Sequence, residues 1–153
     1  MGNFLYTCVQ MAHNLGAVAV VGVPAVAWLL LWINQAAHRP GSTEEGDSPA
    51  WTGMVQCWLP LLTIIAWSVQ AVSGAAFGAT SYYLKGHLPE VAGAAFAALG
   101  IKVGCAAAGF FLTAFYLWRG SRWSARMRLA AWQTLFALGF IALMAAAVLR
   151  WYA

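Results

Sequence analysis

Four long apolar stretches, separated by three short polar breaks, set the pattern of this chain. The first runs from about Met11 to Ile33, with its helix starting as early as Phe4. It ends at a cluster of Asn34, Gln35, His38, Arg39, Pro40 and Gly41. The second runs from about Trp51 to Leu84, the third from about Val91 to Trp118, and the fourth continues to about Tyr152. A helix needs roughly 20 apolar residues to cross a bilayer, and each stretch supplies them. The pattern therefore predicts an all-α, polytopic membrane protein with four transmembrane helices in an antiparallel bundle. The expected helices cover about 4–36, 49–84, 89–118 and 122–152, in a single membrane domain spanning 1–153.

The breaks carry recognisable stop and start signals. Gly41 to Asp47 is the only strongly polar run and reads as a cytoplasmic loop over about 37–48. Asp47-Ser48-Pro49 has the form of a helix start, with a capping side chain ahead of a first-turn proline. Lys85 to Pro89 ends the second stretch, and Pro89 is placed to open the third helix. Arg119 to Arg122 ends the third, and Ser121 or Ser124 is placed to cap the fourth.

Composition strengthens this picture. Of 153 residues, 63% are hydrophobic and only 8% charged, against about 25% charged in an ordinary soluble domain. The N-terminus lacks a positively charged leader region, so the first span is expected to be retained. Cys8, Cys57 and Cys105 are too widely separated to suggest a disulfide framework. Arg39, Arg119, Arg122, Arg126 and Arg128 fall on one side of the expected membrane, and Lys85 and Arg150 on the other. Positive charge marks the cytoplasmic side. Both termini are then expected in the periplasm of a bacterial inner membrane. The arginine group reads as an anchor at an anionic leaflet. It does not suggest nucleic-acid binding.

Gly74 to Gly78 and Gly100 to Gly104 both match GxxxG, which predicts close packing between the second and third helices. Lys102 lies deep in the third span, where a lysine costs roughly 2.5–3.5 kcal/mol on insertion scales. It must face a partner or a wet cavity, and Gln70 is the expected partner. Lys102 is therefore a candidate for binding an anionic group, such as a cofactor carboxylate. His13 shares a helical face with Gly16, Ala17, Val20 and Pro24, which leaves room for a flat porphyrin. His13 is a candidate axial ligand of a b-type haem, with His87 as a second. An interfacial histidine bonded to a neighbour is the plainer account. Cys8 and Met11, together with His13, are candidate soft ligands for copper. Ordinary apolar packing is the plainer account of those two.

Three features resemble the four-helix membrane families around the copper-resistance CopD domain and the HemJ-type protoporphyrinogen oxidases. These are His13-Asn-Leu-Gly-Ala-Val-Ala-Val-Val-Gly22, Gln70 to Gly74, and Leu99-Gly-Ile-Lys102. The resemblance implies a haem- or copper-related membrane role, with His13 and Lys102 at its centre. The chain departs from it in carrying no further intramembrane histidine. No catalytic motif is complete. The leading expectation is a small, non-catalytic or electron-transfer subunit of a respiratory or photosynthetic redox complex. It would contact lipid and other membrane subunits, and hold haem b or no cofactor. A cofactor-free structural subunit and a copper or small-solute transporter are the alternatives.

Overall fold

A computed structural model describes residues 2–37, 53–86 and 93–152. Four helices account for nearly all of them: α1 (Gly2–Ala37), α2 (Leu59–Lys85), α3 (Ala94–Arg119) and α4 (Ala125–Tyr152). All four are long and apolar enough to cross a membrane. The chain is an all-α four-helix bundle and, by the length and hydropathy of its helices, a multi-pass membrane protein. Successive helices run antiparallel. The start of α1, the end of α2, the start of α3 and the end of α4 share one end of the bundle, called here the terminal end. The opposite end is the loop end.

Local chemistry explains the helix boundaries. A π turn at Met54–Trp58 leads into α2, and the Leu59 amide bonds the Met54 carbonyl. Pro60 follows, fully buried. Its missing N–H leaves the Gln56 carbonyl without an α-helical donor, and a widened turn absorbs that break. Gly86, with φ of 74°, closes α2 in the left-handed conformation that glycine adopts without strain. A 3-10 turn at Gly120–Arg122 then joins α3 to α4. Of the two serines proposed as caps, Ser124 does the work, its hydroxyl accepting from the Met127 amide at 3.3 Å. The fourth helix thus begins at Ala125 rather than near 122. The expected starts at Pro49 and Pro89 lie outside the described residues.

Water is scarce inside a bilayer, so polar side chains must be satisfied within the protein. Thr63, Ser68, Thr113 and Thr134 each donate to the carbonyl four residues earlier, at 2.7–2.9 Å.

Packing is layered along the bundle axis. At the loop end Tyr116, Trp132 and Leu135 are almost fully buried with Ala27, Leu31, Val55 and Ala131. The Trp132 indole N–H donates to the Tyr116 hydroxyl at 3.2 Å, and their rings lie 5.2 Å apart. A neutral hydrogen bond of this kind is worth about 0.5–1.5 kcal/mol. Tyr116→Phe should lower bundle stability by that amount in detergent unfolding, without altering helix content. The middle layer holds Val20, Ala66, Trp67, Cys105 and Ala142. Above it, at the terminal end, the layer is polar.

One expectation about packing is corrected. The second and third helices do not form the tight pair that their glycines suggested. Their contact is the sparsest among neighbouring helices, and α3 packs chiefly on α4. A methyl group built on Gly74, Gly78, Gly100 or Gly104 would meet nothing within 4 Å. Close approach occurs instead at Gly109 and Gly139. A methyl on Gly109 would fall 2.4 Å from the Trp67 ring. Pro24 supplies no N–H to the Val20 carbonyl. The α4 backbone reaches that carbonyl at Gly139, where a methyl would fall 2.5 Å from the oxygen.

Candidate functional site

The polar layer joins three helices. His13 on α1 and Gln70 and Ser73 on α2 lie about one turn apart at matching heights, and Lys102 reaches in from α3. Ser73 and Gln70 are buried. The Gln70 amide donates to the backbone carbonyl of His13, fixing α1 against α2. Gly16 makes this approach possible, since a methyl there would fall 3.0 Å from the Gln70 amide nitrogen. The His13 ring stands edge-on to Phe77, with centroids 5.4 Å apart, and Phe77 in turn contacts Tyr6.

With Lys102 as an ammonium donor, a single tautomer of His13 satisfies the whole set of contacts. The Ser73 hydroxyl donates to the Val69 carbonyl one turn back. Its oxygen is then free to accept, and His13 Nδ1 lies 2.8 Å away. The neutral ring therefore carries its proton on Nδ1 and presents a lone pair at Nε2. Lys102 Nζ lies 3.1 Å from Nε2 and donates to it. A continuous chain results: Lys102 to His13 to Ser73 to the Val69 carbonyl. Because Lys102 and His13 share one hydrogen, the pair holds a single positive charge while the bond stands.

Lys102 is thus partnered by His13, not by Gln70 as the sequence suggested. Its depth is also corrected. It lies eight residues after Ala94, about 12 Å along the helix, nearer the terminal end than mid-span. Gln70 does belong to the site, through the His13 backbone.

Other sequence candidates are not brought in. Cys8 is exposed, as is Met11, whereas the His13 ring points into the bundle. Among the described residues no three His, Cys, Asp or Glu side chains converge as a metal-binding group. His87 lies outside the described residues. Sequence reasoning did not pick out Ser73 as the residue that orients His13. Its only signal was its position three residues from Gln70.

The fit of a haem can be tested on these contacts. The face of α1 with Gly16 and Val20 is filled by Gln70, Val69 and neighbouring apolar side chains. Both His13 nitrogens are engaged. Iron ligation would require His13 to release Lys102 or Ser73. The arrangement as packed does not fit a haem.

The fold and site define a four-helix polytopic membrane protein with an intramembrane lysine–histidine–serine chain. No family model, curated protein or solved structure matches the chain.

Proposed function

We propose that this chain is a small integral membrane subunit of an electron-transfer complex, and that its own contribution is to hold and pass a proton at Lys102, His13 and Ser73. The observation that carries this reading is the 3.1 Å contact between Lys102 and His13, made across the bundle interior. Ionisable residues inside membrane spans are costly and generally mark ion or proton pathways. Here the charge can sit on either nitrogen of the pair, and Ser73 holds the ring in register. Electrons would be carried by partner subunits or their cofactors. The arginines at the loop end support a cytoplasmic location for that end, in a bacterial inner membrane with both termini in the periplasm. The resemblance to CopD-like and HemJ-like families agrees with a redox setting and rests on the same His13 and Lys102.

The test is electron transfer in membranes of the native host. Deleting the chain should slow turnover of one complex, and restoring it should recover the rate. Lys102→Met at normal abundance should leave the rate about a hundred-fold or more below the restored level, the range of a lost proton-transfer group. A deletion without effect on any electron-transfer rate would remove the proposal. A b-type haem is a separate question for an oxidised-versus-reduced absorption spectrum. Because Lys102 occupies His13 Nε2, a haem there would load more fully in Lys102→Met than in the natural chain.

A further inference from the structure

The Lys102 ammonium has three N–H donors, and among the described residues only one finds an acceptor, at His13. The other two meet no acceptor among the described residues; Glu44, Glu45, Asp47 and Glu90 lie outside them. Lys102 is nonetheless only half-buried, so something can reach it.

The helix geometry shows from where. Trp67 packs against Gly109, which identifies the side of α2 that looks at α3. Gly74 and Gly78, seven and eleven residues further on, lie within about 20° of Trp67 on that same side. Lys102, seven residues before Gly109, lies within about 20° of it on α3. The two helices therefore touch at Trp67 and Gly109 and stand apart above that contact. Gly74 is exposed, and the space beside Gly74 and Gly78 is open. The glycine side of α2, with Trp67 below it and Lys102 on the matching side of α3, would form one wall of a lateral cleft open to lipid.

We infer that this cleft takes the carboxylate head of a membrane-soluble amphiphile, entering sideways between α2 and α3. A carboxylate offers two oxygens to the two spare N–H groups, and charge-assisted bonds of this kind are the strong ones. It also neutralises the single positive charge of the Lys102–His13 pair. The absence of side chains at Gly74 and Gly78 leaves room for an acyl chain along α2. The inference rests on the Lys102–His13 site of the preceding reading but not on electron transfer. A binding result and a turnover result can therefore fail separately.

The test uses the full chain in nanodiscs of zwitterionic lipid. The probes are an eighteen-carbon conjugated-polyene carboxylate, its methyl ester and a monoalkyl phosphate of matched length. Binding is read by energy transfer from tryptophan to the polyene, with the phosphate as competitor. The acid should bind at least about ten-fold tighter than the ester, consistent with hydrogen bonds to a charged group. Lys102→Gln should abolish that preference. Gly74→Leu should weaken acid and ester alike by filling the cleft, whereas Gly100→Leu, on the other side of α3, should leave both unchanged. Equal binding of acid and ester, or a preference that survives Lys102→Gln, would overturn the inference. So would a phosphate that competes better than the carboxylate, or equal effects of the two leucine variants. Should Lys102→Gln fail to fold, the ester comparison and the leucine pair still decide it.

Discussion

Gly139→Ala should be among the most damaging single changes in the bundle, although it adds only one methyl group to a helix that prefers alanine. The reason lies on α1. Pro24 is buried there and provides no N–H for the Val20 carbonyl, so that oxygen faces α4 instead of its own helix. The α4 backbone passes so close that a methyl on Gly139 would fall 2.5 Å from this oxygen and 3.1 Å from its carbon. Both obstacles are backbone, which cannot swing aside as a flexible side chain can. Van der Waals packing is the main force between helices in lipid, so pushing α1 from α4 weakens the whole middle layer. Overpacking typically costs about 1–3 kcal/mol, and Gly139→Leu should exceed Gly139→Ala. Unfolding in a denaturing detergent series measures it. Pro24→Ala, which restores the amide but not the space, should not rescue the variant. A Gly139→Ala protein as stable as the natural one would show that α1 and α4 do not approach in this way.

The second large effect has the opposite signature. Lys102→Met should sharply slow the proposed electron-transfer turnover while barely changing the stability of the chain. The substitution removes a charge whose insertion costs roughly 2.5–3.5 kcal/mol at a helix centre and less nearer its end, so insertion of α3 should improve. Folding within the membrane loses one side-chain hydrogen bond, which averages about 0.6 kcal/mol and reaches about 1.7 at most. Met also fills a similar shape. The two measurements are helix insertion and detergent unfolding on one side, and electron-transfer turnover on the other. A stability loss well above the hydrogen-bond range would make Lys102 a structural strut rather than a working residue. Full turnover in Lys102→Met would remove it from the mechanism altogether.

These two positions also show what each level of description can reveal. Lys102 was visible in the sequence, because a charge inside an apolar span is conspicuous wherever it points. Gly139 was not, because nothing in Leu138-Gly139-Phe140 differs from other glycines in the chain. The converse error appears in the two GxxxG segments. Their spacing permits close packing, but it does not say against what, and in the folded chain both faces stay open.

The four spans, their all-helical nature and the polar breaks between them followed from the sequence alone. Bilayer thickness sets span length, and unsatisfied backbone in lipid is too costly for anything but helix or closed barrel. Which residues face inward was decided only by the tertiary structure. In a soluble bundle an apolar stripe marks the core. In a membrane both the lipid face and the core are apolar, so periodicity carries little information about direction. Trp67 and Phe111 are both large and apolar, yet one is 2% exposed and the other 69%. The pairing of Lys102 with His13 was hidden for the same reason. The two residues stand 89 positions apart on non-consecutive helices, and only the packing of α1 and α3 around α2 and α4 brings an ammonium and an imidazole within reach.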